Sequence, residues 1–332
     1  MFDYDWTFKD YPTECNKKKV FGAFSCGGGS TMGFKLAGFE HLGGIEIDKK
    51  FAKTYLKNHN PRFFCNEDIR KFNTRKDLPE DLYDLDILEG SPPCSSFSMS
   101  GNREKDWGKK KKFAEGQELQ TLDDLFFHFI ELANILKPKI IIAENVRGML
   151  FGNAKAYLYN INVKLKQIGY IVQVFLLNSA TMGVLQARQR VFIIASRKDL
   201  KLPSLKLSFN QKPIPYKDIE YSNFENKLSK SLIKYYDRCE VGKSFSSVTS
   251  KGSFFNWIKC HPQKSLNTII AKNCLVNYRE RRLLCNRELT LGSSFPLDYD
   301  FCNVSPVKIL GMSVPPVMIA SIAREVYTQW FK

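Results

Sequence analysis

Residues 20–48 read VFGAFSCGGGSTMGFKLAGFEHLGGIEID. An apolar run over 20–24 passes into Gly27, Gly28 and Gly29, and a helix-like segment opens at about Ser30. A second apolar run over 42–47 carries Glu46 and Asp48 at its end. The pattern predicts strand, glycine turn, helix and strand, the opening of an α/β sheet. Glycines at such a turn let a ligand approach the backbone, and an acid at the next strand tip can hold ribose hydroxyls. No GK[ST] follows, so a nucleoside triphosphate is not indicated and an adenosine-containing cofactor fits better. Residues 63–69, FFCNEDI, repeat the pattern and put Asp68 and Ile69 where a third strand would end, with a helix cap as the alternative for Asp68.

Residues 84–101, DLDILEGSPPCSSFSMSG, predict a buried strand that ends at Gly90 and is stiffened by Pro92 and Pro93 before Cys94. A thiol at the carboxyl end of a buried strand sits where open α/β sheets bind ligands; a free buried cysteine is the alternative. The polar segment 95–101 reads as a mobile lid, and REKDWGKKKK at 103–112 as a solvated face or a phosphate clamp. Apolar spacing predicts a helix over 117–136, including Leu122, Leu125, Phe126 and Phe129. A strand from 140 delivers Glu144, Asn145 and Val146. A carboxyl at a buried strand end can keep its proton and act as a general acid, or it can sit in an ion pair. A helix over 154–169 and a strand over 170–177 follow. In QARQRVFIIASR, 186–197, the alternation of Gln186, Arg188 and Arg190 predicts one polar face entering an apolar strand.

Lys plus Arg number 50 against 34 acids, a net charge of +16, which points to a polyanion and first to nucleic acid. Residues 198–264 hold 13 Lys or Arg, 6 acids and interleaved aromatics, so they read as a second, smaller domain that contacts nucleic acid. The N-terminal residues show no apolar signal-peptide core, and the apolar runs are too short to cross a bilayer, so no membrane is expected. Nine scattered cysteines without CxxC or Cys/His spacing predict neither a disulfide framework nor a metal site, and a reducing cytoplasm is expected. Four His make imidazole catalysis a weak prospect. The terminal stretch 317–331 predicts an amphipathic helix packing back on the first domain.

The order FxxGGG, PPC, ENV, QxRxR, RE…FP and GxSVPP resembles the DNA (cytosine-5)-methyltransferase family of the bacterial and phage restriction–modification type, from about residue 20 to the end. The resemblance implies a Rossmann-like S-adenosylmethionine-dependent methyltransferase sheet, residues 1–199, a target-recognition domain, 200–303, and a returning segment, 304–332. It implies transfer of the S-adenosylmethionine methyl group to carbon 5 of a cytosine flipped out of double-stranded DNA. Cys94 would add to carbon 6, Glu144 donate to ring nitrogen 3 and Arg190 hold the carbonyl oxygen, with Arg188 and Gln186 in support. Phe24, Gly27, Gly28, Gly29, Glu46, Ile47, Asp68, Ile69, Pro93, Leu125 and Ser313 would contact the cofactor, and Asn145 would fix the Pro–Cys loop. The sequence departs from the pattern at Cys26, where the family has glycine, at Ser95 and at Met312. A monomer associated with the nucleoid is expected, with a cognate restriction endonuclease as a further partner. The alternatives are a transfer RNA cytosine-5 methyltransferase, whose Cys–Phe–Thr signature is absent, and a catalytically inactive DNA-binding relative. A dinucleotide oxidoreductase is opposed by Cys94 and the missing GxGxxG.

Overall fold

The structure, a computed structural model, describes residues 2–93, 124–152, 154–222, 226–249 and 252–332. Cys94, the 95–101 segment and the basic run at 103–112 lie outside the described residues.

The expected alternation of strands and helices builds one sheet. Its strands are β1 (Lys19–Ala23), β2 (Glu40–Ile45), β3 (Phe63–Cys65), β4 (Ile87–Gly90), β5 (Ile140–Val146), β6 (Tyr170–Asn178) and β8 (Gln189–Arg197), separated from β6 by the short β7 (Gln186–Ala187). The spatial order is β3-β2-β1-β4-β5-β8-β6. The first five run parallel, and β8 runs antiparallel to both β5 and β6. Side chains alternate across the pleat. Phe21, Leu88, Ile141 and Ala143 face a cluster with α4 (Leu125–Leu136) and α5 (Ala154–Gln167), whereas Val20, Ile87, Ile140 and Ile142 face α1 (Gly29–Leu36) and α9 (Pro316–Trp330).

The terminal helix returns to the first layer as its apolar stripe predicts. Gly33 permits close approach of α1 and α9, since a Cβ there would lie 2.5 Å from both the Pro316 carbonyl oxygen and Ile319 Cβ. With α8 (Pro306–Met312), α9 makes the one stretch among the described residues long and apolar enough for a membrane span; its most apolar window is 72% buried in the fold, as a core helix is.

A third cluster joins Trp6, Met32 and Phe51, from α2 (Lys49–His59), to Leu266, Leu289, Phe295 and Tyr299. A fourth, smaller one gathers Leu228, Tyr236, Cys239, Phe245 and Val276, giving the basic, aromatic region its own core.

The third strand is shorter than expected. β3 stops at Cys65, and Asp68 is the N-cap of α3 (Ile69–Phe72), accepting from the Arg70 backbone N–H at 2.8 Å. Asn66 accounts for the early end: its side-chain amide donates to the Glu46 carbonyl at 2.6 Å, occupying a backbone acceptor just past the end of β2 with a side chain instead of a strand N–H.

Candidate active site

Register places the chemistry. Ala23 at the end of β1 pairs with Gly90 at the end of β4, and Gly90 pairs with Ala143 on β5. The glycine turn, the Ser91, Pro92, Pro93 segment and Glu144 therefore emerge side by side, where the strand order reverses and open sheets bind ligands. Pro93 is the last described residue before Cys94. The Asn145 side-chain amide donates to the Pro92 carbonyl at 3.1 Å, while its oxygen accepts from Val146 N–H at 2.8 Å, so the segment after β4 is fastened to the tip of β5.

β8 approaches from the opposite direction, and Val146 faces Arg190 across the ladder. Arg190 Nε donates to Glu144 Oε1 at 2.8 Å, with both side chains largely buried. Of the two sequence-level alternatives for Glu144, the ion pair is present, and its partner is the arginine expected to act beside it. Burial holds the Arg190 pKa below the ordinary guanidinium value, against the pull of Glu144.

The predicted polar face over 186–190 is broken. Gln186 lies in β7, which pairs with β10 (Leu266–Asn267) rather than with the main sheet. Its amide donates to Gly292 O and Ser293 Oγ and accepts from Ile269 N–H. Arg188, 3% exposed, donates to the carbonyls of Ile269 and Gly311, both at 3.0 Å. Its placement is that of a brace between the sheet and residues 269–311. Burial, with Arg190 nearby, lowers its pKa to about 9.

At the tips of β1 and β2, Glu46 is 7% exposed. Its carboxylate accepts from Cys26 N–H at 2.7 Å and from Asp48 N–H at 2.8 Å. Burial nevertheless raises its pKa to about 7. Cys26 takes a left-handed φ of 47°, which costs a non-glycine residue about 1 kcal/mol. Its thiol is 3.8 Å from Ser313 Oγ, and burial pushes its pKa up to about 12, so it stays protonated and does not compete as a nucleophile.

The remaining expected contacts fall into one neighbourhood. Ile69 and Leu125 belong to the same apolar cluster, and Phe24 packs against it. Arg70, not singled out from sequence, donates to Asp68 at 3.0 Å and to Asp124 at 2.6 Å, tying the start of α3 to the start of α4. Ile47 is half-buried beside Glu46. Among the described residues no group of three or more His, Cys, Asp or Glu could hold a metal ion.

A model of the C-5 cytosine-specific DNA methylase family matches residues 19–328. The Type II methyltransferase M.FnuDI of Fusobacterium nucleatum is 33% identical over 207 residues, 61% of this chain and 53% of that protein. M.NgoFVII of Neisseria gonorrhoeae, also a Type II methyltransferase, is 28% identical over 344 residues, 94% of this chain and 87% of the relative. The chain spans about half the length of several curated relatives it matches, M.FnuDI at 53% and M.NgoPII at 51% among them. Among solved structures, an Escherichia coli protein assigned as a DNA modification methyltransferase encoded within a prophage gives a TM-score of 0.74 at 19% identity, over 95% of this chain and 100% of that one. The Spodoptera frugiperda DNMT2 gives 0.66 at 17% identity, over 94% and 100% respectively. Both likenesses establish the Rossmann-like methyltransferase fold.

Proposed function

The chain belongs to the C-5 cytosine-specific DNA methylases, and on that premise we propose that it methylates carbon 5 of a cytosine in double-stranded DNA through a covalent Cys94 adduct. One observation carries the reading. The glycine turn, the Pro92 and Pro93 segment and the Glu144/Arg190 pair leave adjacent strand ends at the reversal point of the sheet.

The residues at the strand tips suit S-adenosylmethionine. Glu46 offers a buried carboxylate to ribose hydroxyls, Phe24 and Ile47 offer apolar faces to adenine, and Asp68, Ile69 and Leu125 are held in one neighbourhood by Arg70. Gly27, Gly28 and Gly29 open α1, whose first N–H groups favour an anionic group, with Ser313 and Pro93 on the flanks. When bound, that donor supplies the electrophilic methyl carbon that carbon 5 attacks.

The chain's own residues make carbon 5 able to attack. The Cys94 thiolate forms a bond to carbon 6 of the flipped base and drives ring electrons toward nitrogen 3 and carbon 5. Glu144 in its acid form delivers a proton to nitrogen 3, and Arg190 holds the carbonyl oxygen as negative charge develops. After methylation, a base takes the carbon 5 proton, the ring double bond re-forms, the carbon–sulfur bond breaks to return the thiolate, and nitrogen 3 gives its proton back to Glu144. Arg188 and Gln186 position the approach of β8, and Asn145 positions the Pro92 segment that leads to Cys94.

The domain reading divides the chain at 199 and 303, and the second core around Tyr236 and Phe245 supports a target-recognition role for the basic segment. The Type II names of the relatives support a restriction–modification setting; a cognate endonuclease cutting the same site and a monomeric enzyme in the cytoplasm are part of the proposal.

Duplex DNA carrying 5-fluorocytosine tests the adduct, because fluorine blocks loss of the carbon 5 proton. The wild-type protein should be trapped on it, and Cys94→Ser should neither be trapped nor turn over. Turnover by Cys94→Ser, or an active enzyme that escapes trapping, refutes the mechanism; methylation of transfer RNA alone refutes the DNA assignment.

A further inference from the structure

The carbonyl of Gly27 is gripped by two side chains from distant parts of the chain. The Tyr299 hydroxyl donates to it at 2.6 Å, and His59 Nε2 lies 3.0 Å from it. Both residues are buried, at 5% and 4% exposure. Burial lowers the His59 pKa to about 3, so the ring is neutral, and an acceptor at Nε2 requires the hydrogen there. Nδ1 then carries the lone pair and has no partner in the structure.

The glycines follow from the same arrangement. A Cβ on Gly27 would stand 2.7 Å from the Tyr299 hydroxyl oxygen, and one on Gly28 would stand 2.0 Å from His59 Nε2. The space a Cβ would take at those two positions is thus filled by protein side chains.

The neighbours of the two gripping residues are also fastened to each other. Asn58, one residue before His59, donates to Asp300 O at 2.7 Å and accepts from Asp300 N–H at 2.8 Å. At the other end of α2, Glu46 bridges Asp48 N–H and Cys26 N–H. The turn is therefore pinned from both ends of one helix, with Tyr299 as a third point that is itself tied to that helix through Asp300 and Asn58.

We propose that Tyr299 and His59 are positioning residues of the methyl-donor turn: by sharing the Gly27 carbonyl they fix the peptide plane from which α1 starts, and so set how tightly the donor is held. The inference rests on the S-adenosylmethionine reading above. It makes the segment around residue 299, more than 270 residues from the turn in sequence, a determinant of cofactor affinity rather than of DNA recognition.

Tyr299→Phe keeps the ring contacts with Phe295 and Phe301 and deletes only the hydroxyl. One lost hydrogen bond should raise KM and Kd for S-adenosylmethionine by roughly 3- to 10-fold, with kcat at saturating donor within about twofold. His59→Gln, which retains an N–H donor, should lose less affinity than His59→Leu. Donor titration by calorimetry, DNA binding by gel shift and thermal unfolding are read on each variant, so that a fold defect shows itself as parallel loss of all three. Wild-type protein that binds no S-adenosylmethionine refutes the functional reading and this inference together. Wild-type binding that both Tyr299→Phe and His59→Leu leave unchanged refutes this inference alone, as does a weakening confined to DNA affinity.

Discussion

Glu288→Ala should be among the most damaging single substitutions outside the strand tips. Glu288, at 0% side-chain exposure, accepts from Arg282 Nη1 at 2.7 Å and Nη2 at 3.1 Å, from the Tyr216 hydroxyl at 2.6 Å and from Cys285 N–H at 2.7 Å. Arg282 is 3% exposed and keeps only Glu280 and the carbonyls of Leu283 and Tyr221 as other partners. Removing one member of a buried pair costs about 3–5 kcal/mol where the other charge is left unpaired, and because Arg282 retains Glu280 the loss falls toward the lower end of that range. Of a total of about 5–15 kcal/mol, that is roughly a fifth or more of the stability. Urea unfolding should be followed by circular dichroism and tryptophan fluorescence together, since coincident transitions license a free energy. Glu288→Leu combined with Arg282→Met should lose much less than the sum of the single variants, because no charge is left buried. A loss below about 1 kcal/mol for Glu288→Ala, or strict additivity in the double variant, refutes the assignment of this pair as the anchor of the second region.

Two further outcomes are expected. Asn145→Ala frees the Pro92 carbonyl and should lower kcat by roughly 10- to 100-fold, since an ångström of misplacement has that effect, while donor and DNA KM change little; steady-state kinetics with unchanged kcat would contradict the positioning role. Glu89 is 5% exposed on β4, accepts a bond from Ser30 and lies 3.6 Å from His41, and burial raises its pKa to about 8 from 4.5. The folded state thus disfavours its charge, so its contribution to stability falls as pH rises from 4.5 to 8 and is flat above. Relative to Glu89→Gln, the wild type should lose on the order of 4 kcal/mol across that window, and a pH-independent difference between their urea midpoints would sink the reading.

Local rules carried most of the architecture. Apolar runs with glycine and proline punctuation foretell β1, α1, β4, α4 and β5 to within a few residues, apart from the start of the helix expected over 117–136, part of which lies outside the described residues. The errors arise where a distant or side-chain bond overrides the local pattern. Asn66 ends β3 before Asp68, and Leu266 draws Gln186 out of the main sheet, so strict alternation over 186–190 fails. A scarcity of His argues against imidazole catalysis, yet it hides a structural imidazole: His59 matters through Gly27 and Tyr299, contacts that no helical or strand period encodes.

The same distinction explains how the turn tolerates Cys26. A left-handed non-glycine residue persists only where its surroundings over-determine the backbone. Here Glu46 takes the Cys26 N–H, while Tyr299 and His59 take the carbonyl of the following residue, Gly27, so the backbone is held by buried partners at and just after the strained residue. Those partners offset the roughly 1 kcal/mol that the conformation costs. Arg188 and Gln186 fasten residues 269–311 to the sheet in the same way, through backbone carbonyls and amides. On the proposed mechanism the strand tips supply the reacting groups, and the latter part of the chain supplies bonds that hold the turn and the sheet edge beside them. Substitutions there should therefore register in donor affinity and turnover even where no reacting atom is touched.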